Sequence, residues 1–390
     1  MEKVKIGEIC EILNGFAFKS ESYVNNGIRV IRIANVQKGF IEDNAPVFYP
    51  LDVKGLNKYM LEEGDLLMSL TGNVGRVALL EKEFLPAALN QRVACLRLIS
   101  DKVSKGYLFH LLNSDYFEQR CIQASKGVAQ KNMSTEWLKE FEIPLYSKKE
   151  QVEIVEVLNM VRNIISNMQD EMKQLDALIK SRFVEMFGDM FQNTKGWPES
   201  RLELMADLVS GITKGRKVKD AELREVPYMA VSNVKDGYID WTDVKTIMAT
   251  KQEIEQYRLL PDDVLMTEGG DPDKVGRGAI IKEPLENSIH QNHIFRVRLN
   301  RKQLLPIFFE EYLQHQKAKK YFFGCAKQTT GIASINMTQL RALPVLVPPL
   351  MLQQHFSAFV EQVDKLKVVA QKRLTETQLL FDSLMQQYFG

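Results

Sequence analysis

Two glycine-rich turns carry the residue types best suited to chemistry on a polyanion. The first, TGNVGR, runs from Thr71 to Arg76, and the second, EGGDPDKVGR, from Glu268 to Arg277. Glycine lets a backbone come close to a phosphate or a base edge, Arg76, Lys274 and Arg277 supply positive charge, Asn73 a bidentate amide and Thr71 a hydroxyl. The same residues also make an ordinary strand-to-strand turn with a solvated cation. Neither turn is a nucleotide P-loop, because G-x-x-x-x-G-K-[ST] is absent. Asp271 and Asp273 repel a phosphate backbone, so they must accept from cytosine or hold a neighbouring cation.

The densest basic run is TKGRKVKD, Thr213 to Asp220, with Lys214, Arg216, Lys217 and Lys219. A solvated face and a phosphate-contacting loop both fit it. The matching loop of the first half, NGFAFKS, offers mainly Lys19 and Phe16, so two readers built on these loops would bind unlike half-sites. Asn35 and Asn233 each follow a strand; asparagine suits adenine recognition, but a turn with left-handed backbone is the favoured reading. Gln91-Arg92 and Asn292-His293 occupy equivalent strand positions, from which side chains reach either a groove or a neighbouring strand. His290 and His293 sit too close on an apparent strand for a metal pair, and no carboxylate or thiol at ligand spacing supports them.

Composition narrows the classes. The chain has 390 residues, 45% hydrophobic and 26% charged, as expected for two or three globular domains. Its net charge is only +1, so a nucleic-acid binder must gather positive charge locally. No apolar run reaches the roughly 20 residues of a membrane span and the start is no signal peptide, which points to the cytoplasm. Cys10, Cys95, Cys121 and Cys325 lie far apart and read as buried free thiols.

The elements that must position these residues come in two copies. VPYMAVSNVKDGYI answers IRVIRIANVQKGFI, placing Asn233 198 residues after Asn35, and Asp263 follows Asp65 at the same interval. Gly276-Arg277 answers Gly75-Arg76 at 201, IHQNHIFRVRL answers ALNQRVACLRL, and TTGIASINMTQL answers SKGVAQKNMSTEW. Each copy leads into a long helical pattern. In the first, Ile154, Leu158, Val161, Ile165, Met168, Met172, Leu175 and Ile179 alternate steps of four and three without Gly or Pro until Gly188. In the second, Phe356, Phe359, Val363, Leu366, Ala370, Leu374, Thr377, Phe381, Leu384 and Tyr388 form a less regular stripe. At about 1.5 Å per residue each helix spans on the order of 50 Å, long enough to act as a spacer.

A period near 200 residues is too long for a solenoid, so each copy is a full domain followed by a helix. The expected fold class is α+β: two similar recognition domains, mixed but mostly β with short helices, separated by a long antiparallel two-helix coiled coil with pseudo-two-fold symmetry. The expected segments are 1–149 and 189–349 for the domains, and 150–188 and 350–390 for the helices.

Over nearly its whole length the chain resembles the specificity subunit of type I restriction-modification enzymes. The resemblance is carried by DLLMSLTGNVGRVAL and DVLMTEGGDPDKVGRGAI inside the domains, and by GVAQKNMSTEWLKEFEIPL and GIASINMTQLRALPVLVPPL before the helices. It implies a non-catalytic chain that reads a bipartite double-stranded DNA target and docks two methyltransferase subunits. In the restricting form it also docks motor-nuclease subunits. It implies no cofactor in this chain, with S-adenosylmethionine, ATP and Mg on the partners. The second helix opens on MLQQ where the first has Lys-Lys-Glu-Gln, so the motif does not fix its first turn.

The residues themselves show no enzyme: VPPL, Val347 to Leu350, lacks the amide or acid and the aromatic of an adenine-methyltransferase tetrad, and no nuclease Pro-Asp core is completed. Two alternatives stay open, a coiled-coil scaffold that binds only proteins, and the specificity chain of a fused restriction-methylation enzyme.

Overall fold

The structure, a computed structural model, describes residues 2–125, 132–216, 222–271, 274–329 and 332–390. Its two compact units cut across the four expected segments: one comprises Met1–Asp170 with Gln371–Gly390, the other Glu171–Ala370.

In the first unit, alternating and fully apolar runs form a four-stranded antiparallel sheet in the order Cys10–Asn14, Val93–Leu98, Leu66–Ser69, Val77–Leu79. A three-stranded sheet, Phe48–Tyr49, Ile28–Ile31, Ala87–Leu89, stands beside it with its last pair parallel. The first strand, Lys3–Lys5, pairs antiparallel with Glu142–Pro144, so the domain closes its own ends before the long helix starts. Helices Lys105–Leu112 and Asp115–Ala124 begin on Ser104 and Ser114, whose hydroxyls accept from Tyr107 and Phe117 N–H groups.

The second unit repeats this order strand for strand. Its four-stranded sheet runs Ala206–Ser210, Ile294–Leu299, Asp263–Thr267, Gly278–Ile281, its three-stranded sheet Lys245–Thr250, Leu223–Met229, Ile289–His290, and Glu199–Arg201 closes on Pro344–Leu346. The internal repeat is thus one topology used twice. A third small sheet is peculiar to the second unit among the described residues: Gly269–Gly270 pairs with Ile332–Ser334, which pairs with Lys327–Thr329.

An ion pair between a buried aspartate and a half-buried arginine holds the same place in both copies. Arg97 reaches Asp65 through Nε and Nη2 at 2.9 and 2.6 Å, and Arg298 reaches Asp263 at 2.7 and 2.8 Å. Each aspartate also accepts the N–H three residues earlier, of Glu62 or Leu260. The fork joins the long central strand to its neighbour, and the hydrogen bond to its aspartate holds each arginine above its ordinary range.

The long helices are single elements, Lys148–Phe187 and Leu350–Phe389. In the first unit Ile154 and Leu158 share a core with Met385 and Phe389; in the second, Ile179, Phe183 and Phe187 share one with Phe356 and Val363. The start of each helix therefore packs on the end of the other, which makes the pair antiparallel. Every expected seam residue of the first helix is buried or half-buried.

The second stripe needs one correction: Leu366 is 58% exposed, and the seam passes through Lys367, which pairs with Asp176 at 2.5 Å. With Lys367 included, the steps from Val363 to Tyr388 alternate four and three, a regular heptad disguised by a lysine whose stem lies along the seam. Replacing Asp65 or Asp263 by Ala leaves a half-buried arginine without its fork, and should cost roughly 1–2 kcal/mol of stability. Urea unfolding of each variant would check this; an unchanged midpoint would contradict it.

Candidate nucleic-acid interface

Four backbone segments meet at one end of each four-stranded sheet, here called its edge. In the first unit Gln91 N–H donates to Phe16 O at 2.9 Å, Leu70 N–H to Arg92 O at 3.0 Å, and Met133 N–H to Leu70 O at 2.9 Å, with Thr71 bridged to Asn132. In the second unit Asn292 N–H donates to Ile212 O at 3.0 Å, Glu268 N–H to His293 O at 2.9 Å, and Ile335 N–H to Glu268 O at 2.8 Å. Gly15 and Gly211 make the approach possible. A Cβ there would stand 2.1 Å from Asn90 O or 1.9 Å from His290 O, inside contact distance.

At these edges the structure gathers Thr71, Gln91 and Arg92 in one unit and Asn292 and His293 in the other, with Lys19 and Lys214 on the loops leaving them. Lys19, Asn73, Gln91, Arg92, Lys214 and His293 are exposed, Thr71 and Asn292 half-buried. Gln91-Arg92 and Asn292-His293 are not strand residues, as the sequence pattern suggested, but the two-residue turns immediately before the long strand. Side chains there escape the pleat and its neighbours. The Arg92 guanidinium has no protein partner among the described residues. His293 Nδ1 lies 2.6 Å from Glu268 Oε2, a pair with no counterpart in the first unit, where Leu70 stands in place of Glu268.

Other candidates are drawn inward. Asn35 is buried: its Oδ1 accepts from Arg32 N–H at 2.9 Å, and its Nδ2 donates to Glu42 O at 2.8 Å and to the Asp43 carboxylate at 3.1 Å. Asn233 repeats the pattern with Ala230 N–H, Asp240 O and Asp243 O. Both amides are spent on a turn, a right-handed 3-10 turn and not the left-handed one expected, so neither reads a base in this conformation.

Gly75 and Gly276 adopt φ of 82° and 74°, and a Cβ would strike Cys121 or Phe322. These glycines serve packing of the turn on a helix rather than approach to a phosphate. Arg76 donates through Nη1 to Gln37, and half-buried Arg277 lines a cavity of about 430 Å³ with Lys235, Lys274 and Lys319. Arg216 forks onto Glu253 and also donates to Met248 O at 3.0 Å, so its charge is already matched; the same pairing holds Glu253 down to about 2. Lys274 is exposed and paired with Asp271, the cation-holding role open to that aspartate. Lys217, Lys219 and Asp273 lie outside the described residues.

His290 does not reach the surface. Its ring nitrogens face Tyr257 O at 3.1 Å and Val209 O at 3.3 Å, and burial pushes the imidazole down to about 4. Among the described residues no group of three or more His, Cys, Asp or Glu is placed to hold a metal ion, and no helix is long and apolar enough to cross a membrane.

Sequence reasoning missed three pairings that shape the units: the Asp–Arg forks, Glu268 with His293, and Arg216 with Glu253. Only the first left a signal, since Asp65/Asp263 and Arg97/Arg298 recur at nearly constant intervals.

Comparison with known proteins then decides the family. A family model for the type I restriction modification DNA specificity domain matches twice, over residues 1–177 and 194–377. The chain belongs to that family. It is 21% identical over 375 residues to the EcoKI specificity subunit of Escherichia coli K12, across 92% of this chain and 81% of that protein. To the StySPI specificity subunit of Salmonella potsdam it is 21% identical, across 98% and 87%. A subunit from Methanocaldococcus jannaschii, MjaVIII, is 32% identical over 186 residues, or 46% of this chain and 43% of that one. The fold matches the S subunit from M. genitalium with a TM-score of 0.56 at 16% identity, covering all of this chain and 96% of that one. A chain from a type I R-M complex gives 0.59 at 17%, covering all of this chain and 97% of that one. The duplicated family match and the duplicated topology coincide.

A neutral, buried His290 makes the second unit acid-sensitive. Its depressed pKa contributes stability that is full above about 6.5 and is lost as pH falls through 4. Buried Glu310, pushed up to about 7, tilts the opposite way between about 4.5 and 7, so the His290 contribution must be read as a difference. His290→Gln should flatten the acid side of the stability curve relative to the parent, measured as urea midpoints from pH 4 to 7; parallel curves would contradict the assignment.

Proposed function

We propose that the chain is the DNA-specificity subunit of a type I restriction-modification system, reading two half-sites with its two domains and performing no chemistry itself. One observation carries this reading: the same four-segment edge occurs once in each unit, but with different side chains on it. Arg92, with Gln91, suits guanine and adenine edges, whereas the second edge offers an imidazole, an amide and Lys214. Equal architecture with unequal contacts is what two unlike half-sites require.

Catalysis belongs to the partners in this reading, with S-adenosylmethionine on two methyltransferase subunits, and ATP and Mg on motor-nuclease subunits in the restricting form. Val152, Val157, Met160 and Ile164 support the docking part, since all four are substantially exposed apolar residues on the first helix outside its seam. A protein-only scaffold gives no role to the cations exposed at both edges, Lys19 and Arg92 at one and Lys214 at the other. The site of action is proposed to be the cytoplasm.

Binding-site selection from random duplexes, with the chain assembled on its methyltransferase partner, should return a two-part consensus whose affinity falls steeply with salt. Arg92→Ala should cost roughly 1–3 kcal/mol and relax one position of one half-site. Lys214→Ala should weaken all sequences about equally and reduce the salt slope by about one. An uninterrupted consensus, or DNA affinity untouched by both variants, would overturn the reading.

A further inference from the structure

We propose that Gln151 and Gln353 are positioning residues that set the angle and rotational phase at which each long helix leaves its domain. They thereby hold the two half-sites to a single gap length. The inference rests on the bipartite reading above and adds the device that keeps the spacing narrow.

The two glutamines are fully buried, each the fourth residue of its helix, and they make the same bonds. Gln151 Oε1 accepts from Ser104 N–H at 2.7 Å, while Nε2 donates to Lys102 O and Tyr146 O, both at 2.9 Å. Gln353 Oε1 accepts from Leu305 N–H at 2.9 Å, while Nε2 donates to Gln303 O at 3.0 Å and Pro348 O at 2.8 Å. One side chain thus ties three segments in each unit: the turn after the long central strand, the linker leading into the helix, and the helix itself. The oxygen meets an N–H and both amide hydrogens meet carbonyls, so the orientation of the amide is dictated.

Apolar packing at the same junction cannot supply this constraint. The contacts of Ile154 and Leu158, or of Phe356, are non-directional and tolerate small rotations of the helix. Three bonds to one buried amide do not, because a rotation that breaks one leaves a polar group unpaired away from water, at about 1–3 kcal/mol. The leverage is large. A helix of 40 residues is about 60 Å long, so each degree of tilt at its base moves the far end by about 1 Å. Three or four degrees of play would correspond to about one 3.4 Å base-pair step. Equal clamps at both bases are what a narrow gap tolerance demands.

The test uses duplexes carrying both selected half-sites with gaps of every length around the preferred one, and the full chain assembled with its methyltransferase partner. Gln151→Met and Gln353→Met keep the volume and remove the bonds; Gln151→Glu and Gln353→Glu keep the acceptor and serve if a Met variant does not fold. Leu67→Ala is the control, destabilising the first domain through a core that the long helices do not enter. The expected result is a broadened gap profile, with discrimination against gaps one base pair off falling about tenfold while the half-site consensus is retained. A profile of unchanged width, or the same broadening in the control, would overturn the clamp. A parent complex with no preferred gap would instead overturn the bipartite reading, and the proposal with it.

Discussion

A two-helix seam buries one stripe of each helix and leaves the rest to water, and much of this molecule answers that constraint. Between Val161 and Ile179 the seam residues of the first helix, from Ile165 to Leu175, are only half-buried. Neither helix could stand there alone, since a 40-residue amphipathic helix draws its stability from packing of its apolar face. Burial is completed at the ends, where Ile154 and Leu158 enter the core of one unit and Phe183, Phe187 and Phe356 that of the other. The domains therefore stabilise the helices as much as the helices carry the domains.

Each domain meets that demand by closing on itself first. Its opening strand pairs with its last strand, and only then does the chain turn into the helix through a buried glutamine. The ionic forks at Asp65 and Asp263 tie the long central strand to its neighbour in the same sheet. The loops that differ, 14–23 against 211–216 and the turns at Gln91 and Asn292, anchor Phe16, Phe18 and Ile212 in their domains and leave the side chains of Lys19, Arg92, Lys214 and His293 exposed. That separation lets the sheet edge change its side chains while the frame stays the same.

The sequence made the frame legible and hid much of the interface. The duplication, the first heptad and the β-rich character follow from periodicity, which burial enforces directly. Lys367 escaped because a long aliphatic stem can occupy a seam while its charge reaches Asp176. The start of the second helix becomes plain once Gln353 is set against Gln151, for the glutamine in MLQQ is what the two helices share. The site was harder. Asn35 and Asn233 turn inward to local turn partners, as their sequence setting favours. Arg76 and Arg216 have the right chemistry for DNA, yet partners distant in sequence consume it, and nothing local announces Gln37 or Glu253 as those partners. The pattern puts Gln91 and Arg92 on a strand, because a two-residue turn between two apolar runs reads as one continuous run.

The central claim is that the helix pair acts as a ruler, and lengthening it tests this most directly. Inserting one heptad into each long helix preserves the seam and adds about 10 Å. Methylome sequencing of a host expressing this chain with its partners should then show both half-sites unchanged and the gap longer by roughly three base pairs. A gap of the original length, or altered half-sites at an altered gap, would contradict the account.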